Sequence, residues 1–498
     1  ITKINHISYA MFHGVFEKYS TQCNSFAEFQ SAGRTTYEAP SWKRLGLPLA
    51  VLEGEGHSWM VGADPTFSTT IEWDADLKVN AVSFSWVWLA AAGKHLGEMK
   101  TLFALPVKDE QEAMNHWFVV ATPDIPKGPE WLHDIALQDY DFLSKNGKGW
   151  FADIDAACKL ILPEDRHRAL FCMHGWYDYV GRYCYDRKSR KLDEKWTTFP
   201  YINHPEVQKL SVDQTYPFTR YNGNPTLDTH VFRNLELYDS QLMTWDEIRR
   251  RLSYAKERGF RTAFYALTGL QIPSAETVED DGMILKQFQG WQGPDSSGAT
   301  SLMNPLHPNV VDSLTQYIRL LLHEVGDVTD ALVMDEAYYI GRGMTGPESC
   351  PGYADRAQML LIREFSRICH AYRPDLAFLT ADYLGASWNE NSIFPYSLFC
   401  DGIYQDTIFW PLTWDHVRFP AWRNIAWCCN WSPVHNIKFT KWGVMAYNAA
   451  IGISNGCWGD DIGLSEMSPE VREQIRLLWD YRKHRKVDRQ LTVIQVQS

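Results

Sequence analysis

Two hydrophobic textures divide this chain near residue 125. Before it, short runs alternate apolar and polar positions and are broken by Gly, Pro and Asn, as in HSWMVGADPTFSTTIEW (57–73) and NAVSFSWVWLAAAG (80–93). A two-residue period puts successive side chains on opposite faces of a strand, so this part predicts an antiparallel β-sandwich. Beyond PDIPKGPEWLHD (123–134) continuous apolar runs alternate with stretches at helical spacing. Such unbroken runs suit strands buried on both faces, as in parallel sheets.

The helical stretches carry their own start and stop signals. TWDEIRRRLSYAKERGF (244–260) has Thr244 three residues before Glu247, a capping box that satisfies free backbone N–H groups, and Gly259 as a stop. PLHPNVVDSLTQYIRLLLHEVG (305–326) puts Pro308 at the first helical position and Val310, Val311, Leu314, Tyr317, Ile318, Leu321 and Leu322 on one face. Further helices are expected over 355–371 and over 468–484, the latter with Ser468 as cap and Pro469 behind it. Strands are expected to start at 169, 230, 261, 330, 376, 398, 424 and 449. Eight strands alternating with helices predict a (β/α)8 TIM barrel. The expected organisation is a sandwich over 1–125, a linker over 126–165, the barrel over 166–485 and a tail over 486–498.

Composition narrows the partners. A net charge of -13 argues against nucleic acid or an anionic membrane, both of which want a basic face. No apolar run approaches the roughly 18 residues of a membrane span. The 21 Trp, 24 Tyr and 24 Phe are more than a core alone would use, and aromatic faces stack on the C–H faces of sugars. Large domains packed with aromatics are the alternative. Ten cysteines show no CxxC pair, which argues against a zinc ribbon or a disulfide scaffold, and their irregular use favours the cytoplasm over a secreted or periplasmic setting. The chain starts at Ile1 without Met or an apolar leader, as either a processed precursor or a trimmed chain would. Homo-oligomerisation stays open.

The acids suggest chemistry. In ALVMDEAYYIGRG (331–343) an apolar strand runs straight into Asp335. Asp178, Asp239, Asp382, Asp406, Asp460 and Asp461 also fall at expected strand ends, where barrel enzymes place reactive groups. Each alone is equally a strand stop or a helix cap. Together they are costly, because neighbouring like charges raise one another's pKa. Two carboxylates facing across a pocket are what glycosidic cleavage requires: one attacks or stabilises the anomeric carbon, the other protonates the departing oxygen. Trp388, Trp410 and Trp431 lie in strand-exit loops and either stack on a sugar or pack over the rim; Tyr265 either donates to hydroxyls or fills the mouth. No HExxH, EF-hand or P-loop is present, and this chemistry needs neither metal nor cofactor. Two competitors are a lyase or isomerase holding magnesium through Asp335, Asp382 and Asp406, and a carbohydrate-binding protein without turnover.

On LELYD, KERGFRTAFYAL, LVMDEAYY and NGCWGDDIGLSEMSPEVREQIRLLWDYRK the chain resembles the clan of retaining α-glycosidases that includes the α-galactosidase families. The resemblance covers roughly 165–485, with the sandwich matching in order only. It implies an exo-acting double displacement on a carbohydrate. The fourth-strand Asp335 would be the nucleophile, and Asp406, or Asp401 as second choice, the acid/base. Asp239 would hold sugar hydroxyls. One departure stands out: Val333 occupies the position where the α-galactosidase pattern has Lys.

Overall fold

The computed structural model describes residues 7–13, 16–21, 24–28, 34–37, 49–54, 57–62, 70–76, 81–87, 103–108, 112–113, 116, 128–141, 148–173, 185–186, 191–192, 245–268, 270–273, 284–287, 300–335, 351–381, 400–405, 426–429, 451–455 and 463–484. The alternating amino-terminal runs form two antiparallel sheets. One orders the strands Ile7–His13, Ala81–Val87, Thr70–Asp76 and Arg34–Tyr37; the other orders Asn24–Glu28, Phe16–Thr21, Leu49–Gly54, His57–Gly62 and Phe103–Val107.

Apart from two small sheets, one of Tyr185–Asp186 with Lys191–Leu192 and one of Gln271–Pro273, Thr300–Met303 and Ile284–Gln287, the rest of the described chain is built on one eight-stranded sheet. Its strands are β1 (Leu137–Asp141), β2 (Ala169–Met173), β3 (Arg261–Thr268), β4 (Ala331–Asp335), β5 (Ala377–Ala381), β6 (Gly402–Gln405), β7 (Ala426–Cys429) and β8 (Ile451–Asn455). They lie in the order β7-β6-β5-β4-β3-β2-β1-β8, and every neighbouring pair is parallel. The two strands at the ends of that order, β7 and β8, also come close to one another. Helices α1 (Lys148–Leu160), α2 (Trp245–Glu257), α3 (Pro308–Val325) and α4 (Pro351–Tyr372) precede β2, β3, β4 and β5, and α5 (Pro469–His484) follows β8.

One strand corrects the sequence reading. The first strand is LQDYD, inside the 126–165 segment expected to be linker; the strand expected at 230 lies outside the described residues. Polarity hid it: Gln138 and Asp139 are both fully buried between β2 and β8. The exchange leaves Ala331–Asp335 fourth and Gly402–Gln405 sixth in chain order.

Aromatic contacts show which sheet face meets the helices. Phe171 of β2 is edge-on to Trp150 of α1 at 6.1 Å, Phe264 of β3 lies 6.3 Å from Trp245 of α2, and Phe378 of β5 lies 5.6 Å from Phe365 of α4. Strand pairing puts Leu332 level with both Phe264 and Phe378 on that face. The opposite face carries Cys172, Ala263, Tyr265, Ala331, Val333, Ala377 and Leu379, all buried as well. Two-sided burial is why these strands read as unbroken apolar runs.

Local signals act as expected where they are described. Gly259 takes φ +90°, its N–H donates to the Lys256 carbonyl at 2.9 Å, and the Phe260 N–H donates to that of Ala255 at 3.1 Å, a Schellman turn that delivers the chain into β3. The face of α3 buries Val310, Leu314, Tyr317, Ile318, Leu321 and Leu322 as anticipated, while Val311 is half-buried. Its start adds a cap the sequence did not announce: the His307 ring accepts the Asn309 N–H at 3.2 Å. At α5 the Ser468 hydroxyl accepts the Val471 N–H at 3.3 Å.

Candidate active site

All eight strands run the same way, so their carboxyl ends share one edge. Asp335 closes β4 there, in register with Thr268 of β3. Two residues earlier, Val333 pairs with Tyr265 and Leu379, and all three are buried on the face away from the helices. Tyr265 therefore belongs to the layer just beneath the level of Asp335. Gln405, the last residue of β6, ends that strand at the same edge. Sequence reasoning missed Asp141, which closes β1 in register with Met173 and Asn455 at the same edge. Its signal, an acid ending a strand, was present but sat in the segment read as linker.

Asp401 stands at the other end. It precedes β6, its N–H donates to the Phe378 carbonyl at 2.8 Å, and its Oδ2 accepts the Phe378 N–H at 2.8 Å. The same Oδ2 lies 2.9 Å from Nε2 of His370 and accepts the Ser366 hydroxyl at 3.4 Å, both from α4. Gly128 packs so closely that a Cβ there would come within 3.0 Å of Asp401. Complete burial, and after it the charge of Asp401, pushes the neighbouring Cys369 thiol well above its ordinary pKa. As second choice for the acid/base, Asp401 is corrected: it is at the amino edge, opposite Asp335, and fully engaged in packing.

Asp330, just before β4, repeats the arrangement. Its N–H donates to the Thr262 carbonyl at 2.8 Å and its Oδ2 accepts the Thr262 N–H at 2.9 Å. Lys256, Arg261 and Arg373 surround Oδ1 at 2.9, 3.2 and 3.5 Å.

Asp178, Asp239, Asp382, Asp406, Asp460, Asp461, Trp388, Trp410 and Trp431 lie outside the described residues. Among the described residues no group of three His, Cys, Asp or Glu is placed to hold a metal ion, and no helix is long and apolar enough to cross a membrane.

No protein-family model and no curated protein sequence matches the chain. Solved structures do. The GH36 α-galactosidase AgaA from Geobacillus stearothermophilus superposes with a TM-score of 0.53 at 9% identity, over 95% of this chain and 62% of that one. AgaB from the same organism gives 0.51 at 10% identity, over 95% and 61%. A cycloalternan-degrading enzyme from Trueperella pyogenes gives 0.53 at 12% identity, over 96% and 67%. Doubly substituted variants of AgaA have also been seen in complex with stachyose and with raffinose. This chain thus spans about three fifths of the length of the α-galactosidases it resembles. The resemblance to the α-galactosidase clan first noted in scattered sequence segments is therefore a resemblance of fold, shared with GH36 α-galactosidases across almost the whole chain.

Proposed function

We propose that this chain is a retaining, exo-acting α-glycoside hydrolase of α-galactosidase type, with a closed (β/α)8 barrel preceded by a β-sandwich. The observation that carries the reading is the position of Asp335: it ends the fourth of eight parallel strands in a fold shared with glycoside hydrolases. Closure of the barrel is supported by the proximity of β7 and β8 and by the burial of the sheet face away from α1, α2 and α4. In this reading the Asp335 carboxylate attacks the anomeric carbon while Asp406 gives its proton to the departing glycosidic oxygen. Asp406 then takes a proton from water, whose oxygen displaces Asp335 from the anomeric carbon, so the sugar leaves with its original anomeric configuration and both acids are restored. Asp178, Asp239, Asp382, Asp460, Asp461 and the three loop tryptophans would hold the sugar, above a layer containing Tyr265.

Val333 sets the substrate question. Fully buried and apolar, it offers no donor where the α-galactosidase pattern has Lys, so α-glucosides belong beside α-galactosides in any screen. The likeness to a cycloalternan-degrading enzyme supports the same breadth. The test is a panel of nitrophenyl α- and β-glycosides with the released sugar followed by NMR. The expected result is cleavage of an α-glycoside with the α-anomer released first; β-anomer release, or no cleavage of any α-glycoside, refutes the reading.

A further inference from the structure

The connection between β3 and α3 leaves the parallel sheet at its carboxyl edge and builds a small antiparallel sheet there. Its central strand, Thr300–Met303, pairs with Gln271–Pro273 on one side and Ile284–Gln287 on the other. The small sheet is rooted beside Asp335. Thr268 is the register partner of Asp335, and two residues later the Leu270 carbonyl accepts the Met303 N–H at 2.8 Å, with Leu270 and Met303 both buried. The connection leaving β2 adds a second sheet, Tyr185–Asp186 with Lys191–Leu192, and the latter strand comes close to α3. Strand-to-helix connections in such folds usually need only about two to six residues, so paired strands in two adjacent ones are additions to the rim.

We infer that these two sheets wall the mouth on the β2–β3 side and thereby confine cleavage to a terminal sugar. The inference rests on the α-glycosidase reading and follows from the direction of its displacement. The nucleophile and the departing oxygen lie on opposite faces of the anomeric carbon, and the proton for that oxygen comes from the β6 side of β4. The leaving group is thus on the β6 side, and the far end of the bound sugar is turned toward β3, the neighbour of β4 on the other side. A sugar chain continuing past that end meets the rim where the extra strands stand. Opening the wall therefore changes which bond is cut and spares the bond-breaking step itself.

Ser301 is the place to open it, because Ser301 is level with Ile272 and Gln287 at once and a proline there disrupts the ladder. The experiment gives the unaltered full chain, Ser301→Ala and Ser301→Pro the best nitrophenyl α-glycoside and its disaccharide homologue, and identifies the free sugars by mass spectrometry. The unaltered chain and Ser301→Ala are expected to release no intact disaccharide. Ser301→Pro is expected to release it in about one turnover in ten, with kcat on the monosaccharide glycoside within about threefold. Gln287→Pro, in a strand paired on one side only, reads the same effect should Ser301→Pro fail to fold. Folded proline variants that release no intact disaccharide, or its release by the unaltered chain, overturn the inference and leave the cleavage chemistry of the glycosidase reading intact. No α-glycoside turnover by the unaltered chain overturns both.

Discussion

The two edges of the parallel sheet treat aspartate differently. At the amino edge Asp330 and Asp401 each stand just before a strand and accept the N–H of the second residue of the neighbouring one, Thr262 and Phe378. At the carboxyl edge Asp141 and Asp335 each close a strand. The ladder itself makes the difference. A parallel pair that starts leaves an N–H without a carbonyl partner, and a carboxylate can fill that place; a pair that ends leaves a carbonyl, which a carboxylate cannot use. An acid before a strand is thereby absorbed into the fold, while an acid after one gains nothing from the strand ends and must be answered by side chains or by substrate.

The sharpest test of this contrast exchanges one acid at each edge. Asp335→Ala is expected to lower turnover by at least about 10⁴-fold while leaving the thermal midpoint unchanged, measured by steady-state kinetics and calorimetry. Asp330→Ala is expected to do the reverse. It leaves Lys256, Arg261 and Arg373 facing one another around a buried hole and strips the Thr262 N–H of its acceptor, a loss of about 3 kcal/mol in denaturant unfolding. Activity per folded molecule should hold. If the amino-edge variant lost activity at full stability, or the carboxyl-edge variant unfolded, the contrast would be broken.

Asp401→Ala should follow Asp330→Ala at a somewhat smaller cost, about 2 kcal/mol, because it unpairs one buried N–H and one hydroxyl but leaves only a single ring nitrogen beside them. Asp401→Asn should recover part of this, since an amide oxygen still accepts the Phe378 N–H. A change in the pH profile of turnover in Asp401→Asn, with stability unaltered, would restore Asp401 to the reaction.

The edges also explain what the sequence disclosed. The apolar runs of β2, β4 and β5, the buried stripe of α3 and the stop at Gly259 were legible because a period or a backbone requirement writes them directly into residue type. β1 was not, because a strand between two partners can bury Gln138 and Asp139, and hydropathy scores such residues as surface. The acids were legible as strand-adjacent but not as to edge. Placing Asp401 required the first ladder bond of β6, and the apolar run SLFC just before it (397–400) reads as though that strand had begun earlier. Which loop acids face Asp335 depends on connections without periodicity, where residue type carries little information about direction.

A smaller effect probes how the amino edge is assembled. Gly259 holds φ +90° just before β3, a conformation an L-residue enters only at a cost. A Cβ there would meet nothing nearer than 3.6 Å, so crowding adds little and the cost is that of the backbone alone. Gly259→Ala is expected to lose about 1 kcal/mol of stability with activity unchanged. A loss as large as that of Asp330→Ala would mean that the turn, and not the acid, holds β3 at this edge.

The least effect is expected where an acid at the same edge stays in water. Asp327 pairs with Arg249 at 2.6 Å, and that hydrogen bond holds its carboxyl below the ordinary value. A depressed folded-state pKa means the contribution is present above the unfolded carboxylate pKa and is lost as pH falls through the lower, folded one. The Asp327 side chain is 54% exposed, so water and salt screen the pair and its worth is under about 1 kcal/mol. Asp327→Asn should therefore move the thermal midpoint slightly at neutral pH and not at all at a pH below the folded value, with the neutral-pH shift shrinking in high salt. Equal shifts at both pH values would show that Asp327 acts through packing. Burial would then have to be dropped as what separates it from Asp330, three residues along the same rim.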